Sequence, residues 1–445
     1  MVSQAHLSEN LSSVLQYVRN KSPLYRRKLA GFDTASIQTI DDIKRLPFTT
    51  RADLQELAPF GSICEGHRPE AYYESSGTTG SPVPGFPDLS ADKATSFGRF
   101  LDRWMGLSDG HVKRALVSLA FEMNPTGIRF QMALPHAGVI VLPTGVRTTI
   151  CPPEKVIEII SRLQPQAIFG RPFELLRYGD LLLRNGTPPS QTEVTKLFFL
   201  GEIMSAAKWE RIRRLWDDAD LYGHYGLTEV DSGLQSSGPG HYQEPDTPFL
   251  FTEIIDPISG HEVLPGAWGE IVFSVLRATH APLLRYRTGD IGRRIIARNS
   301  TDKKPHIEIR GRFSDEHIID GKSVFPIDLE NIIFNHDEIG NEYLFIIEQD
   351  GSLRLILEQS FGASARLAAC EKRIADHVYS ALGVTAAVEV HPFGSIADKL
   401  GIPQKKSGRF TDLRGLSSDG RLRELNINVV DAHQLRTGTG EALSI

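Results

Sequence analysis

The sequence predicts an α/β protein: a large N-terminal domain of flanked, largely parallel sheets plus a small β-rich subdomain, then a small α+β C-terminal domain. Three observations predict this. The chain has 445 residues, which exceeds what one compact core normally organises. Between about residues 70 and 290, short apolar runs alternate with helical segments, as in a buried parallel sheet. Beyond residue 311, apolar runs and one helix form a separate, smaller pattern.

At the N-terminus, the pattern predicts one amphipathic helix over residues 10–30. Four apolar residues share one face at helical spacing: Leu11, Val14, Leu15 and Val18. Further along, Thr49 or Thr50 is suited to cap a helix that starts near Arg51.

In the central region, Pro153–Leu163 and Ala206–Asp217 have helical patterns. The apolar runs predicted as strands are Ala115–Leu119, Gly138–Leu142, Ala167–Gly170 and Leu197–Leu200. The runs Trp268–Leu276 and Leu283–Ile291 predict strands of the β-rich subdomain.

The C-terminal region predicts strands at Tyr343–Ile347, Leu353–Leu357 and Ala386–His391, with a helix at Ser364–Leu382. Residues 415–445 are rich in Gly, Ser, Thr and Arg at both ends, and no structure is assigned to them.

The composition excludes several classes of function. The net charge is −6, with no basic tail, so neither nucleic acid nor an anionic membrane is expected as a partner. The three cysteines form no C-x-x-C pair, which argues against a zinc ribbon or a disulfide framework. The N-terminus does not resemble a secretory signal, and no apolar run reaches the ~20 residues of a membrane span. A cytosolic protein is expected.

The first chemical motif is a loop rich in hydroxyls and glycines. Its hydroxyls belong to Ser75, Ser76, Thr78 and Thr79, and its tight turns to Gly77 and Gly80. Such a loop can surround a polyphosphate with backbone N–H groups and hydroxyl donors. The spacing is not that of a P-loop, and no lysine follows. The alternative is a plain surface turn.

The second motif is Tyr222–Glu229. The ring of Tyr225 can stack on a purine, the hydroxyl of Thr228 can reach a phosphate, and the carboxylate of Glu229 can hold Mg²⁺, which prefers oxygen ligands. The alternative is a strand end followed by a turn, with Glu229 solvated.

Three further motifs follow. Asp290, in Tyr286–Asp290, can accept hydrogen bonds from both hydroxyls of a ribose diol. The alternative is a hairpin with Thr-Gly-Asp at its bend. The next motif is Gly311–Asp315, followed by Gly321–Glu330, and the last is the lysine-bearing loop Pro403–Arg409. Each of these two can equally be a solvated basic loop.

The order of these motifs resembles that of the adenylate-forming superfamily, which includes acyl-CoA synthetases, adenylation domains and luciferases. Within it the chain is most similar to phenylacetate–CoA ligases. The resemblance runs from near Val14 to Arg414 and includes Leu46–Arg51 and Gly201-Glu202.

The resemblance implies ATP and Mg²⁺ as cofactors and a role for each matching residue. The implied ATP-binding residues are Ser75, Ser76, Gly77, Thr78, Thr79, Gly80, Gly201, Glu202, Tyr225, Gly226, Asp290 and Arg312. The implied catalytic residues are Lys406, Glu229 and Thr228, with Glu229 also the Mg²⁺ ligand. Lys406 would approach the acyl carboxylate and the α-phosphate, with the adjacent Lys405 as the alternative.

The implied reaction joins a carboxylic acid to AMP and then passes the acyl group to a thiol, either CoA or a carrier-protein phosphopantetheine arm. The implied domains are 1–312, which binds ATP and acid, and 313–445, which is mobile. The hinge lies at Arg312–Asp315, where Ser314 replaces the family's aspartate.

Two departures leave the substrates open. Phe121 and Asn124 occupy the place of the family's glycine-rich aryl pocket, so the acid is aromatic, cyclic or of another kind. Asp320 replaces an arginine in the acceptor loop, which disfavours CoA phosphates and favours the alternative of an amine acceptor.

A third alternative is a non-catalytic nucleotide-binding relative, and the retained Glu229, Asp290 and Lys406 argue against it. A homodimer is left open. No structural zinc is expected despite His241, because Gln235–Ser237 occupies the region where some relatives have a cysteine.

Overall fold

The computed structural model describes residues 3–75, 81–295, 305–363, 367–396 and 409–414. Its backbone packing divides the chain into two compact units, Met1–Ser314 and Asp315–Ile445. The predicted functional domains, 1–312 and 313–445, remain a prediction. Within the part of the chain described, no helix is both long and apolar enough to cross a bilayer.

The helices are α1 (Gln4–Lys21), α2 (Pro23–Lys28), α3 (Arg51–Glu56), α4 (Ala91–Met105), α5 (Thr126–Ala133), α6 (Pro153–Leu163), α7 (Pro172–Arg184), α8 (Ala206–Leu215), α9 (Pro326–Ile333) and α10 (Leu367–Leu382).

The strands of the first unit are β1 (Tyr73–Glu74), β2 (Pro84–Gly85), β3 (Arg114–Val117), β4 (Ile140–Pro143), β5 (Ala167–Gly170), β6 (Lys196–Leu200), β7 (Asp220–Gly226), β8 (Gly233–Gly238), β9 (His241–Gln243), β10 (Leu250–Ile255), β11 (Gly269–Val275), β12 (Tyr286–Ile295) and β13 (His306–Arg312). Those of the second unit are β14 (His317–Ile319), β15 (Lys322–Val324), β16 (Ile339–Ile347), β17 (Leu353–Gln359), β18 (Ala386–His391) and β19 (Phe410–Asp412).

The predicted N-terminal helix differs from the observed one in its bounds. It starts at Gln4 and ends at Lys21, and a second short helix follows from Pro23. The break has a local cause. The Ser22 hydroxyl accepts a hydrogen bond from the Tyr25 backbone N–H, and Pro23 stands at the first position of the new helix, where its missing N–H costs nothing. The predicted cap is confirmed, since the Thr50 hydroxyl accepts from the Asp53 N–H.

The predicted parallel sheet is present in the first unit. Strands β4, β3, β5, β6 and β7 lie side by side and parallel, and every residue of β5 is buried. Because parallel strands share a direction, their carboxyl ends form one edge, where ligands of such sheets usually bind. The segments that leave this edge include Gly201-Glu202 and Thr228-Glu229.

The predicted β-rich strands are hydrogen-bonded to the parallel ones in one sheet. Beyond β7, strands β8, β9, β13, β12, β11 and β10 continue it with antiparallel pairing. The core on this side also takes in the N-terminal helices, because their apolar faces pack with residues such as Ile271 and Phe273. The α/β fold class is confirmed.

The second unit has a four-stranded sheet in the order β18-β17-β16-β19. Strands β16 and β17 are antiparallel, and β18 and β19 add parallel strands on either side. Helix α10 packs near β18. Strands β14 and β15 form a separate hairpin that turns at Asp320-Gly321.

Candidate active site

The residues on either side of the predicted phosphate loop form a hairpin. Strands β1 and β2 pair through Tyr73 with Gly85 and Glu74 with Pro84. Ser75 closes the base of the loop: its N–H donates to the Val83 carbonyl at 2.9 Å, and its Oγ accepts from the Val83 N–H at 2.9 Å. Ser76, Gly77, Thr78, Thr79 and Gly80 lie outside the described residues.

Arg51 stands beside this loop. Its Nη2 donates to the Ser81 carbonyl at 2.7 Å and to the Ser75 Oγ at 3.3 Å, and its Nε is buried without a hydrogen bond within the described chain. A guanidinium at the mouth of a phosphate loop supplies the positive charge that the missing P-loop lysine would otherwise give. The motif Leu46–Arg51 was the available signal, but it assigned Arg51 only to the start of a helix.

Backbone pairing places Arg51 near the second motif. The Thr49 N–H donates to the Arg285 carbonyl, and the Arg287 N–H donates to the Thr49 carbonyl, both at 2.9 Å. Thr49 therefore lies alongside Tyr286 at the start of β12. Arg285, fully buried, holds this segment through a bidentate ion pair with Glu253, with nitrogen–oxygen distances of 2.8 and 3.1 Å.

Thr228 and Glu229 form the turn after β7, at the carboxyl edge of the sheet. Gly85 of the hairpin packs directly on this turn, because a Cβ at Gly85 would lie 2.6 Å from the Thr228 carbonyl oxygen. The Tyr286 hydroxyl donates to Glu229 Oε1 at 2.6 Å. The phosphate-loop hairpin and the Thr228–Glu229 turn are thus in contact.

Glu229 fits the predicted metal role. A carboxylate oxygen is a ligand that Mg²⁺ prefers. Oε1 is oriented by the Tyr286 hydroxyl, and Oε2 makes no hydrogen bond or ion pair among the residues that the structure describes. Burial, then the Glu229 charge, hold the pKa of Tyr286 well above its usual range, so the phenol keeps its proton and donates. Mg²⁺ at Glu229 remains a prediction.

Tyr225 and Asp290 come together at one point. The Tyr225 hydroxyl donates to Asp290 Oδ2, and Arg312 Nε lies 3.4 Å from Oδ1. The Thr288 hydroxyl orients the backbone by accepting from the Asp290 N–H at 3.0 Å. Burial, then Asp290, raise the pKa of Tyr225 well above its usual range, so it stays a donor.

The structure therefore joins Tyr225, Asp290 and Arg312, which the sequence predicted separately for adenine, ribose and ATP. Their contacts with a nucleotide remain predictions. Gly226 ends β7 and is exposed, one residue from Tyr225.

Glu202 belongs to a charged cluster at the carboxyl edge. Its Oε2 accepts from the Phe173 N–H at 3.3 Å, and its Oε1 lies 3.8 Å from Arg171 Nε. Arg171 and Arg147 both bind Glu174, which is fully buried. Burial lowers the pKa of Arg147. Gly201 takes a positive φ of 82° before Glu202. The role of both residues toward ATP remains a prediction.

The predicted acid-pocket residues have structural contacts. Asn124 Oδ1 accepts from the Thr126 N–H at 3.0 Å and from its hydroxyl at 2.7 Å, just before the start of α5. The ring of Phe121 packs so closely on Gly127 that a Cβ there would come within 2.7 Å of it. The Met123 carbonyl accepts from the Glu74 N–H at 3.1 Å, so this loop lies against the phosphate-loop hairpin.

The remaining predictions concern the second unit. The division between the units falls directly after Ser314, the predicted hinge residue. Lys406 and Lys405 lie outside the described residues. The predicted hinge and the catalytic lysine therefore remain predictions.

Comparisons with known proteins show which proteins this chain is similar to. Residues 321–414 match the AMP-binding enzyme C-terminal domain. The phenylacetate-coenzyme A ligase of Aromatoleum evansii is 28% identical over 413 residues, covering 86% of this chain and 89% of that protein. The phenylacetate-coenzyme A ligase of Escherichia coli (strain K12) is 26% identical over 435 residues, covering 93% and 95% respectively.

Solved structures show the same fold. The crystal structure of 2-hydroxyisobutyryl-CoA ligase in the postadenylation state with R3-HIB-AMP matches with a TM-score of 0.80 and 21% identity, covering 94% of this chain and 90% of that chain. The same ligase with 2-HIB-AMP matches with a TM-score of 0.75. The sequence relatives make the chain similar to the phenylacetate–CoA ligases of the adenylate-forming superfamily, and the solved structures show that it has the fold of such a ligase.

Proposed function

We propose that this chain is an AMP-forming acid–thiol ligase, which adenylates a carboxylic acid with ATP and transfers the acyl group to CoA. One observation carries the proposal. The hairpin of the phosphate loop, the Thr228–Glu229 turn and the Tyr225–Asp290 pair are linked by direct contacts at the carboxyl edge of the sheet. Relatives named as phenylacetate-coenzyme A ligases support the same reaction.

In the first half-reaction, an oxygen of the acid attacks the α-phosphorus of ATP. The new oxygen–phosphorus bond forms as the bond to pyrophosphate breaks, and the product is an acyl-AMP. The carboxylate and the triphosphate are both anions, so nearby positive charge lowers the barrier. Arg51 supplies a fixed guanidinium beside the phosphate loop. Mg²⁺ held by Glu229 would supply further charge neutralisation when bound.

The residues predicted for the nucleoside have defined tasks in this scheme. Asp290 would accept hydrogen bonds from the ribose hydroxyls. Tyr225 would hold that carboxylate in position through its hydroxyl, and its ring would stack on the adenine. Arg312 lies beside this carboxylate, with its Nε 3.4 Å from Asp290 Oδ1. Thr228 would contact the α-phosphate from the turn after β7.

In the second half-reaction, the sulfur of the thiol attacks the acyl carbonyl carbon and AMP leaves. We propose CoA as the thiol and an aromatic or cyclic acid as the substrate, in line with the named relatives. The comparisons lend no support to the alternative in which an amine attacks the acyl-AMP. Lys406 is proposed to act mainly in the first half-reaction. Lys406→Ala should therefore slow acyl-AMP formation and spare the use of chemically supplied acyl-AMP, with Lys405→Ala as the control.

The experiment is acid-dependent exchange of labelled pyrophosphate into ATP, measured without acceptor. A panel of arylacetic, benzoic, cyclic and small aliphatic acids is compared, and CoA, a phosphopantetheinylated carrier protein or an amino acid is then added. We expect exchange with at least one aromatic or cyclic acid, and an acyl-CoA detected by mass spectrometry. Exchange with no acid, or product only with the amino acid, contradicts the proposal.

A further inference from the structure

Away from the nucleotide residues, the first unit brings one histidine and two carboxylates together. His280, Glu70 and Asp88 each offer one ligand atom, and these atoms all lie within 4.8 Å of one another. His280 Nε2 is 3.4 Å from Glu70 Oε2, yet it is buried and makes no hydrogen bond in the described part of the chain. No role in adenylation accounts for these three residues.

A chain of contacts accommodates a proton on His280 Nδ1. The Tyr17 hydroxyl donates to the Thr279 carbonyl at 3.0 Å and lies 2.7 Å from His67 Nε2. A phenol has one proton, so both contacts are hydrogen bonds only when His67 Nε2–H is the donor to the Tyr17 oxygen. His67 Nδ1 then bears a lone pair. It lies 3.1 Å from His280 Nδ1, which in this arrangement is the protonated nitrogen.

This relay leaves the lone pair of His280 Nε2 facing two carboxylates. A lone pair and two anions repel one another unless a cation lies between them. A histidine that donates through one ring nitrogen and presents the other is the usual arrangement of a metal ligand, because the outer hydrogen bond selects the tautomer. The carboxylates are themselves oriented: Glu70 Oε2 accepts from the Leu89 N–H at 3.3 Å, and Asp88 Oδ1 from the Ser90 N–H at 2.9 Å.

We propose that Glu70, Asp88 and His280 bind one divalent transition-metal ion, for which Zn²⁺ is the best fit. Zinc accepts imidazole nitrogen and carboxylate oxygen at about 2.0–2.2 Å, which separates tetrahedral ligands by about 3.4 Å. The His280–Glu70 distance of 3.4 Å matches this spacing. A water molecule would take the fourth position.

The consequence concerns the phosphate-loop hairpin. Glu70 lies just before β1, and Asp88 lies just after β2, so the ion would tie the two ends of the hairpin together. His280 lies in the loop between β11 and β12, and its carbonyl accepts from the Cys64 N–H at 2.8 Å. The site is distinct from the region of His241, where no zinc is expected.

The test uses the full chain, stripped with a chelator and kept free of nucleotide. Titration with Zn²⁺ by calorimetry should show one ion per chain at micromolar affinity or tighter, and Co²⁺ should give the visible absorption of a tetrahedral site. His280→Ala and Glu70→Gln should each weaken Zn²⁺ binding at least tenfold. Glu70→Gln is the milder variant, because the Glu70 side chain is 42% exposed and the amide keeps its shape.

The control is His241→Ala, which removes another histidine that contacts a carboxylate, at 3.2 Å from Glu308. It should leave Zn²⁺ affinity unchanged. Zinc should also raise the melting temperature of the wild type and of His241→Ala, but not of Glu70→Gln. The proposal is overturned if no stoichiometric ion binds, or if all variants bind equally. It is also overturned if nitrogen NMR in the presence of Zn²⁺ shows His280 as an imidazolium.

Discussion

At the scale of single residues, the contacts of Glu229 bear on the two interpretations of the Tyr222–Glu229 motif. A merely solvated carboxylate would need no oriented partner. Instead the Tyr286 hydroxyl, nearly fully buried, donates to Oε1 and leaves Oε2 for another ligand. The sequence placed both residues in motifs, but their contact depends on the pairing of β12 with distant strands, which residue order alone does not reveal.

We expect Glu229→Gln to lower acid-dependent pyrophosphate release on the order of 10²–10³-fold, because a neutral amide is a poorer ligand for a hard cation. The dependence on Mg²⁺ concentration should shift upward. Tyr286→Phe is the matched control, since it keeps the carboxylate and removes one hydrogen bond, worth about 1 kcal/mol. An unchanged Mg²⁺ dependence in Glu229→Gln contradicts the metal role.

His224 gives a prediction about pH. Burial, then the charge of Arg129, lower its pKa to about 4, below the ordinary value of 6.5. Between these pH values, His224 binds a proton in the unfolded chain but not in the folded chain. Protonation of the unfolded chain therefore lowers stability below pH 6.5 and has no effect above it.

The free energy of unfolding should accordingly fall as the pH drops from 6.5 toward 4, by up to about 1.4 kcal/mol per unit from this group. His224→Gln should flatten the slope, whatever its effect on stability at pH 7.5. Urea unfolding at a series of pH values measures both slopes. Parallel slopes for the two proteins would show that His224 does not titrate in this range.

At the scale of elements, the hairpin of β1 and β2 is positioned by a glycine contact. Gly85→Ala would place a Cβ 2.6 Å from the Thr228 carbonyl oxygen, which is backbone and cannot move aside freely. We expect a destabilisation of about 1–3 kcal/mol and a higher KM for ATP.

Gly170→Ala, at the end of β5, is the matched control, because its nearest contact is the flexible Leu175 side chain at 3.4 Å. It should cost less in urea unfolding and leave the KM for ATP unchanged. Equal effects of the two substitutions would show that the contact between Gly85 and Thr228 has no special role.

The turn at Asp320-Gly321 provides a structural reason for the aspartate, which the sequence alone did not indicate. It joins β14 to β15 through the pair Ile319 and Lys322, and both central residues have positive φ, 50° and 72°. Aspartate followed by glycine is favoured in such a turn. Asp320 Oδ2 also accepts from the Thr385 N–H at 3.1 Å. Local geometry thus explains why an aspartate stands at position 320, whereas the sequence analysis related this residue only to the choice of acceptor substrate.

Asp320→Asn separates these explanations, because asparagine tolerates the turn and removes only the charge. If CoA phosphates approach this loop, the KM for CoA should fall by up to about fivefold at low salt, since one exposed like-charge contact costs about 1 kcal/mol. Steady-state kinetics with CoA, beside unchanged pyrophosphate exchange, checks this. An unchanged KM would leave Asp320 with its turn role alone.

Elements with a complete local pattern were predictable to the residue. Ala167–Gly170 and Pro153–Leu163 are a strand and a helix with the predicted bounds. The helix predicted over residues 10–30 failed at Ser22, because the apolar spacing continues across a cap and a proline that together start a new helix. The periodicity of apolar residues indicates which face of a helix is buried. It does not reveal a break between two helices when the apolar spacing continues across that break.

At the scale of the whole molecule, the fold class and the order of motifs followed from the sequence. The order in which the strands pair in the sheet did not. The β-rich strands pair with the parallel ones through β7 and β8. That pairing brings Tyr225 to Asp290, 65 residues apart along the chain. Such contacts require the sheet order, so the candidate site was predictable as a list of residues and not as an arrangement.

The measurement that tests the central claim most directly follows oxygen from the acid. An acid selected by the exchange assay is labelled with ¹⁸O in its carboxylate and converted with ATP and CoA. If an acyl-AMP forms and the thiol then attacks its carbonyl carbon, AMP retains an ¹⁸O atom and pyrophosphate contains none. Unlabelled AMP, or ¹⁸O in pyrophosphate or inorganic phosphate, would contradict the account.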